Sequence, residues 1–294
     1  MGKASVPRPK SEIMKKTCCL APLLFLVGLA NGGWVPPTDG NTYKVLTEAK
    51  EDAVAKRYDD ALAKHVWVWE HEQISRRGFK DFRAIIGTRM SAGGLFDWVK
   101  LAKVSSPALQ RLKAIRDEAG QKAQAMATSH DNDWFQALVD FVCINMAMKD
   151  YKLTTALFFW LDTNEPKAAK VAFESLEQIE ALLINGGDYG VWSRYGDPDH
   201  FFRQKAEFYE ADEKSPLDTA FGKIEREAGE KYFCNRVAML VCLLAQDNRA
   251  DDANRIVGEA LKECDKAELK SLLGTARAGH MPAPWWPWSA AIGG

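Results

Sequence analysis

His71 invites a test for metal chemistry, because Glu72 follows it directly. The next residues are Gln73, Ile74 and Ser75, so the second histidine of an H-E-x-x-H zinc helix is missing. His65 lies six positions earlier, on the opposing face of a helix, where it cannot share an ion with His71. The chain has no C-x-x-C, G-x-S-x-G or G-x-G-x-x-G pattern. Gly274 and Gly279 have the spacing of a phosphate loop, but His280 stands where the lysine belongs. That stretch also closes a helix, whereas a phosphate is cradled where a helix begins. Asp81, Asp97 and Asp140 each adjoin a Phe or Trp, the apolar setting that raises a catalytic carboxyl. The same juxtaposition arises on any amphipathic helix, and spacing alone does not establish the roughly 5–10 Å separation of an acid–base pair. No catalytic residue, metal or cofactor is expected.

Tryptophan is the anomaly. The chain has ten, and Trp285, Trp286 and Trp288 crowd into the stretch from Pro282 to Trp288. The prolines there oppose helix and favour an extended polyproline path. Three indoles left in water would form a large apolar patch, so they must contact something. Two readings stay open: a tail folded back to cap the last helix pair, or a strip that docks a glycan or a partner protein.

The elements that would position these residues are helical. Val45, Ala49 and Ala53 form one apolar stripe, and Tyr58, Leu62, His65 and Trp69 the next. Ser106-Pro107, Asp197-Pro198 and Ser215-Pro216 read as a cap followed by proline in the first turn, and Pro166 opens a further helix. That helix carries Ala169, Phe173, Leu176 and Leu183 and stops at Gly186-Gly187. Strand alternation bounded by hairpin turns is absent. The expected class is all-α.

Several segments also resemble one another. Second helices begin Tyr58-Asp59-Asp60-Ala61-Leu62, Leu153-Thr154-Thr155-Ala156-Leu157 and Ala250-Asp251-Asp252-Ala253-Asn254. Their small residues lie twelve positions after Ala49, Ile144 and Val241 on the preceding helices. Each set resembles a tetratricopeptide unit, a pair of antiparallel helices in touch through small residues. Only Ala49 has the preferred small size, and the 95- and 97-residue spacings are not multiples of about 34. Phe79 to Ala119 fits the repeat least. Together with the Tyr195-Gly196-Asp197-Pro198 turn, it is similar to exported bacterial proteins of unassigned function with tetratricopeptide-like helices. The resemblance implies an irregular right-handed solenoid over residues 42–280. In such an array first helices line the concave side, which would bring Lys50, Asn145, Lys149, Asn235 and Gln246 near that surface. Polar side chains there could grip peptide backbone or carboxylate, although solvated helix faces look the same.

Residues 14–30 have the grammar of a secretory signal. Lys15 and Lys16 are basic, Leu20 to Leu29 is an uncharged apolar run, and Gly28 and Ala30 precede a cleavage before Asn31. The run is about half of the roughly 20 residues that span a bilayer, so no permanent membrane span is expected. Residues 1–13 form an extension before this start, 31–41 a linker, and 281–294 the Pro/Trp-rich tail. Cleavage removes five basic and one acidic residue from totals of 39 and 40, leaving a net charge of −5. Such a chain has no electrostatic reason to seek nucleic acid. Cys143, Cys234, Cys242 and Cys264 lie on apolar faces and read as buried thiols. One disulfide among the last three is the alternative in an oxidising compartment. The expectation is an exported (periplasmic or secreted) helical scaffold that binds a protein or peptide, with a glycan-active all-α toroid enzyme as the alternative.

Overall fold

Apolar side chains recur every three or four positions through nearly the whole chain, and the backbone coils accordingly. The computed structural model describes residues 34–38, 40–71, 94–214, 216 and 219–283, which hold thirteen α-helices and no strand. They are α1 (Thr42–Val54), α2 (Tyr58–His71), α3 (Leu95–Ala102), α4 (Ser106–Thr128), α5 (Trp134–Met148), α6 (Tyr151–Asn164) and α7 (Pro166–Ser175). Then follow α8 (Glu177–Asn185), α9 (Tyr189–Tyr195), α10 (Pro198–Glu213), α11 (Ala220–Gln246), α12 (Ala250–Glu263) and α13 (Ala267–Arg277). The signal-like segment, Asp81 and the three tail tryptophans lie outside the described residues.

Side-chain caps set several of the starts. Asn41 accepts from the Lys44 amide at 2.9 Å, and Asp197 from the amides of Asp199 and His200 at 2.9 and 3.0 Å. Two expected starts move. Ser105 rather than Ser106 caps α4, which places Pro107 at the second helical position. Pro216 does not open α11; Thr219 does, its hydroxyl accepting from the Gly222 amide at 2.9 Å. The helix expected from Pro166 to Leu183 is also two helices. Leu176 between them leaves the helical conformation, at φ −114° and ψ 88°, and is fully buried, so the chain turns there to sink an apolar side chain. Gly187, in the left-handed region at φ 82°, closes α8 as glycine is suited to do.

Neighbouring helices pack as hairpins within two groups, one running from α1 to α9 and the other from α10 to α13. The closest pairing joins α4 to α5, where Gly120 leaves room for the Phe141 ring; a Cβ there would come within 2.8 Å of it. Ala49 and Ala61 are fully buried between α1 and α2, and Val241 and Ala253 between α11 and α12. The middle pair differs from expectation. Ala156 is exposed, while Thr154, Leu157, Phe158 and Leu161 face inward, and α5 packs chiefly on α4 instead of α6. One apolar core runs through both groups, with Phe158, Phe173 and Trp192 on one side and Phe202, Phe233 and Val237 on the other. Trp34 in the expected linker is fastened to α2, edge-on to Trp67 at 5.8 Å and beneath the Lys64 ammonium at 5.7 Å. No helix among the described residues is long and apolar enough to cross a membrane.

Candidate binding cavity

The two helix groups meet over buried charge. Helix α8 opens with Glu177 and Glu180, one turn apart on one face and at the helix end that favours carboxylates. Helix α10 supplies Lys205 from the stripe Phe201, Lys205, Phe208, and α11 supplies Arg236 from the stripe Tyr232, Arg236, Met239. The Lys205 ammonium donates to Glu177 Oε1 at 2.8 Å and to Gln204 Oε1 at 3.0 Å. Arg236 faces Glu177 at 3.3 Å through Nε and donates from Nη2 to Glu180 Oε2 at 2.6 Å. The two cations and two carboxylates therefore cancel across the junction. Aromatic faces complete the enclosure: the Lys205 nitrogen stands 4.9 Å from the Phe201 centroid and 5.7 Å from that of Tyr232. Burial lowers the Lys205 pKa against the pull of Glu177, and burial raises that of Glu180 against the pull of Arg236.

Beside this quartet opens a cavity of about 550 Å³, lined from α7 to α10. Phe173, Trp192, Tyr195, Phe201 and Phe208 form its apolar wall, and Glu174, Asp197, Arg203 and Glu207 stand exposed around it. Local structure fixes these walls. The Tyr195 hydroxyl donates to Asp162 on α6 at 2.6 Å, and Arg194 donates to the same carboxylate at 2.7 Å, clamping the short helix α9 in place. Gly196 then turns the chain directly under the Trp192 ring; a Cβ at that position would lie 2.6 Å from ring carbons. Three lining side chains, each more than nine-tenths buried, carry a polar atom without a hydrogen-bond partner: Gln178 Oε1, Glu180 Oε1 and the Trp192 indole nitrogen. The indole nitrogen lies toward Glu180 and favours its ionised form, but falls short of a hydrogen bond.

The residues expected along a concave surface are not gathered here. Lys50 lies on α1, paired with Asp97 of α3 at 3.0 Å. Asn145 is fully buried, a correction to its surface placement: it donates to Thr154 at 3.2 Å and ties α5 to α6. Lys149 closes α5 in the left-handed conformation. Asn235 and Gln246 both hold the chain that follows α13, donating to Ala283 O at 2.8 Å and Gly279 O at 3.0 Å. Two of the five thus hold this chain's own segment after α13.

The other candidate groups have structural surroundings. Asp97 sits between Lys50 and Lys100; burial pushes its pKa up, but the two ammoniums outweigh that and hold it below the ordinary value. Asp140 accepts from Gln136 at 3.2 Å. His65 stacks on Trp98 with 5.8 Å between ring centroids, and burial lowers its pKa to about 4. His71 stacks on Trp67, so the two histidines do face different surroundings. Among the described residues no three His, Cys, Asp or Glu side chains gather as a metal site. Cys143, Cys234, Cys242 and Cys264 are buried free thiols.

Of the buried quartet and the cavity, the sequence carries one signal, the placing of the two cations. Lys205 occupies the inward register of Phe201 and Phe208, and Arg236 lies between Phe233 and Val237 in the apolar second half of its helix. A cation in such a register is a buried charge that requires a partner. No family model, curated protein or solved structure matches the chain.

Proposed function

We propose that this protein is an exported scaffold of stacked helix pairs, irregular and tetratricopeptide-like, that binds a protein or peptide partner without catalysis. The cavity between the helix groups carries this reading. Its volume is within the roughly 300–1,000 Å³ of ligand sites, its wall is aromatic, and it is edged by a few convergent polar groups. The hairpins α1–α2, α4–α5 and α11–α12 support the repeat-like reading, and the small residues Ala49, Ala61 and Ala253 at their contacts agree with it. Export rests on the basic, apolar and small-residue pattern of residues 14–30. A glycosidase-like reading draws no support from the two buried carboxylates of the cavity, because Glu177 and Glu180 are each engaged by a cation.

A photo-crosslinking residue tests the reading. Arg203→benzoylphenylalanine at the cavity edge should crosslink to peptides selected on an array of varied sequences, while Glu118→benzoylphenylalanine on α4 should not. Equal labelling from both positions, or an array on which no peptide is retained, would overturn it.

A further inference from the structure

Resting on that reading, we propose that the cavity takes a cationic side chain of the bound polypeptide, an alkylammonium or a guanidinium. Charge points that way first. The buried carboxylates are matched by Lys205 and Arg236, so the field at the mouth is set by the exposed residues. There Glu174, Asp197 and Glu207 face one arginine, Arg203, and the imidazole of His200. Among the described residues Glu174 pairs with Lys170 of its own helix, at 3.6 Å. Asp197 is held below the ordinary carboxyl range by the backbone amides it caps, so it keeps its charge into mild acid. An incoming cation is attracted, and an incoming carboxylate meets three of its own kind.

Hydrogen-bond valence points the same way independently. Of the three unpartnered polar atoms in the lining, Gln178 Oε1 and Glu180 Oε1 are acceptors and only the Trp192 nitrogen is a donor. Acceptors that deep are costly until a donor reaches them. Ammonium and guanidinium groups are donors only, which fits this surplus; a carboxylate ligand would leave both acceptors unmet. The aromatic wall adds the third strand. Phe201 and Phe208 already accept a cation on their faces, with the Lys205 nitrogen 4.9 and 5.9 Å from their centroids. Trp192, Tyr195 and Phe173 line the remaining sides with rings of the kind that attract cations. A lysine or arginine side chain has both the apolar stem for such a wall and a donor head for the acceptors within it, drawn in past the acidic rim.

Calorimetry on the full chain tests this. The probes are acetyl-Gly-Arg-Gly-amide and acetyl-Gly-Lys-Gly-amide, beside their norleucine and glutamate counterparts and free putrescine. The expected result is binding of the two cationic peptides at least about tenfold tighter than the norleucine peptide, with the glutamate peptide weakest. The variant Glu174→Gln/Glu207→Gln should keep its melting curve and lose about tenfold in that affinity. Should it melt early, Glu207→Gln alone carries the comparison, since that side chain is on an exposed helix face. Norleucine or glutamate peptides that bind as tightly, or affinity unchanged in the variants, would overturn the cation assignment and leave the scaffold reading standing. Putrescine bound more tightly than either peptide would move the site to free polyamines and overturn its polypeptide part. Binding of none of the probes would overturn the cation assignment, and the array experiment then decides the scaffold reading separately.

Discussion

Arg236 holds two carboxylates at once, and its removal would leave Glu180 buried without the guanidinium it pairs with, against a burial that already disfavours its charged form. Breaking such a pair is costly, whereas replacing all of it by apolar groups often is not. Arg236→Met should therefore lower unfolding free energy by about 3–5 kcal/mol in urea titrations, and Arg236→Met/Glu180→Leu should recover most of that loss. A double variant no more stable than the single one would contradict the buried-pair account. His65 makes a second prediction, with a definite sign. Its folded pKa of about 4 lies below the ordinary 6.5, so between those values the unfolded chain binds the extra proton. Stability from this residue is complete above about pH 6.5 and declines as pH falls toward 4, by roughly 3 kcal/mol in total. His65→Phe keeps a ring against Trp98 and should make unfolding at pH 4.5 and pH 7 more alike than in the unaltered protein. If the variant is equally acid-sensitive, some other group is responsible. The sequence places Lys205 and Arg236 in apolar registers but shows neither their partners nor the burial of His65, because those depend on residues brought together only by packing.

Helices, by contrast, were largely legible, since apolar period and cap-plus-proline signals are local. Asp197 before Pro198 and Gly187 after α8 behave as their chemistry dictates. The breaks and pairings were not. Leu176 interrupts what reads as one helix because burying that side chain outweighs helix continuation. Helix α5 is apolar on nearly every face, from Ala137 to Ala147, and so does not specify which neighbour it will pack against. Contact with α4 is decided instead by Gly120 beneath Phe141. Gly120→Val should force those axes apart and cost about 1–3 kcal/mol, read as an earlier thermal transition. The segment after α13 is held by two donors reaching its carbonyls, from Asn235 and Gln246. Asn235→Ala/Gln246→Ala should speed hydrogen exchange and proteolysis around residues 279–283, with each lost bond worth about 1 kcal/mol. Unchanged protection there would mean that the tail is fixed by other contacts.

At the scale of the whole molecule, the two helix groups share an apolar core yet meet beside it through long charged side chains, and the cavity lies at that meeting. All-α class could be read from residue pattern; the junction could not, because it joins Glu177 to Arg236 across 59 positions and no local signal spans that distance. Binding at the junction is the claim on which the account stands, and the indole nitrogen of Trp192 reports on it. Nitrogen-15 NMR of the tryptophan side chains during titration with an arginine-containing peptide is the direct measurement. The account predicts a saturable shift of the Trp192 resonance, while Trp69 and Trp98, packed in the α1–α3 region, stay in place. Shifts confined to Trp285, Trp286 and Trp288, with Trp192 unmoved, would contradict it and transfer the binding site to the tail.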